Sequence, residues 1–97
     1  MLTLTPEQRR FLRAQAHHLH PVVAIGNAGL SEAVLKEATA AIGHHELIKI
    51  KVHSDDHDLR EQVLAEICDR LEAAPVQHIG KILVVYKPAD KPRLALP

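Results

Sequence analysis

Three groups of residues in this 97-residue chain have types and spacing that could do chemistry. The first is Gly26-Asn27-Ala28-Gly29, which follows the apolar run Val22-Val23-Ala24-Ile25 and precedes Ser31. Two glycines three apart let a backbone turn sharply and bring its N–H groups close to a neighbour. A helix opening at Ser31 would add positive partial charge at the same place, so a phosphate could sit there without any catalytic side chain. The second group is a set of cations: Arg9, Arg10 and Arg13 ahead of the glycines, and Lys49 and Lys51 after them. The third is eight histidines, among them His17-His18-x-His20 and His44-His45, together with the single Cys68.

These groups support some reactions better than others. The glycine loop lacks both G-x-x-x-x-G-K-[ST] and G-x-G-x-x-G, which argues against a nucleoside triphosphate or dinucleotide site. None of the histidine clusters has a recognised zinc spacing and the one cysteine is isolated, so no metal and no other cofactor is expected. Cys68 falls on the core-facing side of a helix and excludes an intramolecular disulfide. No histidine has a visible orienting partner, and an enzyme therefore has no constellation to name. A polyanion backbone uses what is left. Aromatic residues are only 2% of the chain, Phe11 and Tyr86 alone, which counts against a base-stacking module. Contact with RNA backbone and shape, weakening steeply with salt, is the expected mode.

The elements that must position these residues follow from periodicity and caps. Thr5-Pro6-Glu7-Gln8 reads as a capping box with proline at the first helical position. The helix it opens runs to about His18, with Phe11, Leu12, Ala16 and Leu19 towards one side and Arg9, Arg13 and His17 four apart beside them. Val22–Ile25 is a strand. Ser31 caps a second helix burying Val34, Leu35, Ala38, Ala41 and Ile42, with Gly43 as its stop. In Leu47–His53, Ile48, Ile50 and Val52 alternate with Lys49, Lys51 and His53, which predicts a strand with one buried and one cationic face. Ser54–Asp58 opens a third helix running to about Glu72. Val76–Ile79, the turn Gly80-Lys81 and Ile82–Tyr86 form a hairpin, whose second strand is apolar on both faces and so interior. The order αβαβαββ predicts one compact α/β (α+β) domain, a four-stranded mixed sheet with three helices. Its core spans about residues 3–88 and residues 89–97 are a loose tail.

Composition sets the frame. Net charge is zero, but unevenly distributed. Residues 1–53 hold six Lys/Arg and four Asp/Glu, residues 54–74 two and seven, and residues 75–97 four and one. The acidic excess is confined to the third helix and its approach, which suggests a basic face and an acidic back, with the helix set away from the glycine loop. Lys81, Lys87, Lys91 and Arg93 extend the basic side. No apolar run reaches the roughly 18 residues of a membrane span, and the N-terminus lacks a signal-peptide layout, so a cytoplasmic protein without small-molecule substrate is expected.

Three blocks then resemble a known family in its order and spacing: Leu19–Leu30 (LHPVVAIGNAGL), His44–Val52 (HHELIKIKV) and Val76–Pro88 (VQHIGKILVVYKP). They are similar to the CRM domain (chloroplast RNA splicing and ribosome maturation), and a one-domain chain of this size resembles its bacterial YhbY-type members. The resemblance implies a fold similar to the C-terminal domain of bacterial translation initiation factor three. It implies RNA binding on precursors of the large (50S) ribosomal subunit and a role in ribosome assembly. It also implies that Gly26, Asn27, Ala28 and Gly29 form the RNA-contacting loop; Arg9, Arg10, Arg13, Lys49 and Lys51 are the cations expected to meet phosphate. The competing class is a protein–protein adaptor on assembling ribosomes, docking through the Lys49/Lys51 face or the acidic helix.

Overall fold

A computed structural model describes all 97 residues. Its elements are α1 (Pro6–Ala16), β1 (Pro21–Ile25), α2 (Glu32–His45), β2 (Leu47–Val52), α3 (His57–Leu71), β3 (Ala74–Ile79) and β4 (Ile82–Tyr86). The strands form one sheet in the order β1-β2-β4-β3. β1 and β2 are parallel, with α2 as their crossover, while β2/β4 and β3/β4 are antiparallel. This is the expected mixed sheet with three helices.

Period-two patterning divides the apolar residues between the two faces of the sheet. One core holds Val23, Ile25, Ile48, Ile50, Val52, Leu83 and Val85 beneath α2 and α3. The other holds Leu47, Val84 and Tyr86 beneath α1, which contributes Leu12 and Ala16. β4 supplies both cores alternately and is buried along almost its whole length, as its continuous apolar run predicts. The capping box at Thr5 forms, with Gln8 N–H donating to Thr5 Oγ1 (3.1 Å) and Thr5 N–H to Gln8 Oε1 (3.0 Å).

Three local expectations need correction. Gly43 does not end α2: the helix continues to His45 and stops at Glu46, with φ 61°. Glu46 is held there from both sides, its N–H donating to Ile42 C=O (2.9 Å) and its own C=O accepting from Lys87 N–H (2.8 Å). β3 begins at Ala74 rather than Val76, so Pro75 lies inside a strand. That is tolerated because β3 is an edge strand, and the register shifts beside Pro75. β1, the other edge, carries Pro21 with a similar shift.

The third correction concerns the tail. Residues 89–97 have no regular secondary structure, yet they are tied down. The Glu46 carboxylate, 1% exposed, accepts from the N–H groups of Ala89 and Arg93, each at 2.9 Å. The Arg93 guanidinium reaches the C=O of His44, and Leu94 and Leu96 pack on the core under α1. Burial pushes the Glu46 carboxyl up, but the backbone N–H groups of Ala89, Arg93 and Leu94 and the Arg93 charge outweigh it, holding the group below its ordinary value. A buried acid in the middle of the chain thus anchors its end, a pairing that local pattern cannot show.

Candidate nucleic-acid interface

β1 delivers the chain to the glycine loop. The C=O of Ile25 accepts from His53 N–H (2.7 Å), and Gly26–Gly29 then form a turn closed by Gly29 N–H donating to Gly26 C=O (3.1 Å). Gly29 has φ 84°, where a side chain is strained. Gly26 does not: its φ is ordinary, and a Cβ there would meet nothing within 4 Å. Nothing inside the chain therefore requires glycine at Gly26. Gly29 alone supplies the turn, and its N–H is spent in closing it. The N–H groups of Asn27 and Ala28 take no partner within the chain, and both residues are exposed. Ser31 follows as the cap of α2, its Oγ accepting from Val34 N–H (3.2 Å). Two unpartnered donors thus stand just ahead of the positive end of a fourteen-residue helix.

The lysines lie on the α1 side of β2. Lys51 pairs with Ala24 of β1, two residues before the loop, and with Ile82 of β4. Lys49 is half-buried and lies opposite Val84. Between α1 and the sheet runs a cleft of about 170 Å³ lined by Arg13, His17, Lys49, Gln77, Ile79 and Ile82 among others. It brings together one arginine and one lysine expected from the sequence. Arg9 is half-buried and Arg10 exposed; neither lines the cleft. His17 and Gln77 are the additions: His17 shares the helical spacing of Arg9 and Arg13, whereas Gln77 is placed by β-pairing and carries no sequence signal.

Ion pairing sorts the chain's cations into two sets. Arg70 pairs with Glu32 and Glu66, Lys81 with Asp55 (3.0 Å), and Arg93 with Glu46, while Arg60 is buried and donates to Ser54 C=O (2.8 Å). Lys81 and Arg93, which the charge distribution assigned to the basic side, thus serve the fold. Arg9, Arg10, Arg13, Lys49 and Lys51 form no ion pair, and neither do Lys36, Lys87 and Lys91.

The acidic segment divides between the body of α3 and the approach to it. The body of α3 packs on the face of the sheet opposite α1. Its approach does not lie away from the loop, because the His53–Ile25 hydrogen bond sets residues 53–56 beside the end of β1. Asp56 caps α3 there, and the Lys81 ammonium, hydrogen-bonded to Asp55, holds the Asp55 carboxyl below its usual range. That pairing offsets one of the two carboxylates in this approach.

Comparison with known proteins adds an independent line. The sequence pattern of the CRS1 / YhbY (CRM) domain family matches residues 4–87. A Haemophilus influenzae protein named "RNA-binding protein" is 45% identical over 97 residues, covering 100% of this chain and 98% of its own. The Bacillus subtilis protein named "Probable RNA-binding protein YqeI" is 34% identical over 84 residues, covering 87% of this chain and 88% of its own. The solution structure of the Staphylococcus aureus protein SAV1595 superimposes with a TM-score of 0.87 at 29% identity, covering 98% of this chain and 100% of that one.

Proposed function

The chain belongs to the CRS1 / YhbY (CRM) domain family, and from that premise we propose that it is a non-enzymatic RNA-binding protein acting on precursors of the large ribosomal subunit during assembly. The observation that carries this reading is the sorting of the cations. Arg9, Arg10, Arg13, Lys49 and Lys51 are all left without a carboxylate, and Arg13 and Lys49 converge on one cleft. Lys51 stands two residues from a turn that offers the unpartnered N–H groups of Asn27 and Ala28. Unpaired cations beside outward-facing amides suit phosphate oxygens. Gly26, with open space where a side chain would stand, suits a backbone pressed close against a partner.

The test is filter binding to naked large-subunit ribosomal RNA over a salt series. Wild type should show a steep negative slope, and charge reversal at Arg13 or Lys49 should lower that slope by about one per lost phosphate contact. Gly26→Asp should weaken binding at least about tenfold, a loss of about 1.4 kcal/mol. A chain that ignores naked RNA yet is retained on protein-containing precursors would be an adaptor instead.

A further inference from the structure

Two side chains one helical turn apart meet a third from a distant strand on the far side of the sheet from α1. His57 and Glu61 are one turn apart in the first part of α3, and His78 comes from β3. Each offers one ligand atom and all three atoms lie within 4.8 Å of one another. Glu61 Oε1 is 3.2 Å from His78 Nδ1 and 4.0 Å from His57 Nε2, and the two rings lie nearly parallel with centroids 4.9 Å apart.

The second observation is at His78. Its side chain is only 7% exposed, and Nδ1 is a buried ring nitrogen with no hydrogen-bond partner, the Glu61 contact falling outside hydrogen-bond geometry. A buried nitrogen without a partner is costly. The other nitrogen, Nε2, is over-supplied: Gly80 C=O lies 2.9 Å away and the Arg60 Nε–H 3.1 Å away. The Arg60 Nε–H donates to Nε2, which puts the ring proton on Nδ1 facing Glu61. An ion binding at Nδ1 would replace that proton, with Nε2 then donating to Gly80 C=O in place of accepting from Arg60 and the Nδ1 lone pair turned towards Glu61 and His57. That is the arrangement of a metal-ligating imidazole, whose second nitrogen is fixed by a carbonyl.

We propose that His57 Nε2, Glu61 and His78 Nδ1 form a binding site for a divalent cation of the zinc class. Two imidazoles and a carboxylate are the donors such an ion takes. Zinc bonds of about 2.0–2.1 Å put tetrahedral donors about 3.3 Å apart. The Glu61–His78 separation already matches, and His57, with its side chain 66% exposed, is free to close the rest. Three protein ligands leave the fourth position to water. The bound ion would tie the first turns of α3 to the β3–β4 hairpin. This site stands apart from the RNA reading, since none of its residues lines the α1 cleft.

The test is calorimetric titration of the full chain with Zn²⁺, with the histidine ring resonances followed by NMR. A background variant with His17, His18, His20, His44 and His45 all changed to Asn removes the other exposed histidine clusters. In that background, one equivalent of Zn²⁺ should still bind and shift the rings of His57 and His78. His57→Ala and Glu61→Gln, both at exposed positions, should each weaken binding at least about tenfold. Loss of one-to-one binding in the background variant would overturn the site. So would zinc affinity that survives both substitutions, or a titration that leaves the His78 ring unmoved.

Discussion

The two loop glycines look alike in sequence but carry different obligations. Gly29 holds a left-handed backbone, so Gly29→Ala should cost about 1 kcal/mol of stability in urea unfolding. Gly26→Ala, with ordinary φ and open space, should stay within about 0.5 kcal/mol. An aspartate is therefore best placed at Gly26, where weakened RNA binding reports charge and close approach without backbone strain. Cys68 illustrates the opposite case, a residue whose chemistry is suppressed. Burial pushes its thiol up to about 12, so iodoacetamide at pH 8 should alkylate it only at the rate of unfolding, and rapid alkylation of native protein would contradict its burial. Its core position was legible from helical spacing. The division of labour between the glycines was not, because φ is set by how the turn closes onto α2.

At the scale of elements, helix starts were legible and helix ends were not. Thr5 and Ser31 cap through their own side chains, which local sequence shows. α2 and α3 instead end on Glu46 and Glu72, both at positive φ, because of contacts far away in sequence or simply against local preference. Glu72 is exposed with φ 55° and has no ion pair to lose, so Glu72→Gly should stabilise the protein by about 0.5–1 kcal/mol in the same assay. Glu46 should behave the other way. Its folded-state pKa is depressed, so its contribution is present above the ordinary carboxylate pKa and is lost as pH falls through the lower folded value. Glu46→Gln should cost about 1–3 kcal/mol at pH 7, with the gap from wild type closing below about pH 4 in urea titrations. The tail looked loose because its anchor lies 43 residues earlier. Removing Leu12, the fully buried contact of α1, should undock the helix that carries Arg9, Arg10 and Arg13: Leu12→Ala should cost about 2–5 kcal/mol and weaken RNA binding together with stability.

At the scale of the molecule, the mixed sheet was readable because each strand declares its faces by alternation. The β1-β2-β4-β3 order decides what alternation cannot, namely that Lys49 meets Arg13 and that His78 meets α3. Charge asymmetry was legible only as a sum, since pairing withdraws Lys81 and Arg93 from the basic side. The same strand order leaves β1 and β3 as edges; Pro21 opens β1 and Pro75 lies inside β3, each with a register shift beside it. With formal net charge zero and a sequence pI near 7.1, the protein has little colloidal repulsion at neutral pH. Protection against edge-to-edge pairing then falls to geometry: Pro75 and the register shift beside it interrupt β3, and Pro21 removes a donor where β1 begins. Edge prolines can take the part that surplus charge plays in other small domains, and they need no charge to be spent at the sheet margins. Replacing Pro75 with Val should make concentrated solutions scatter light at pH 7 while leaving dilute samples folded.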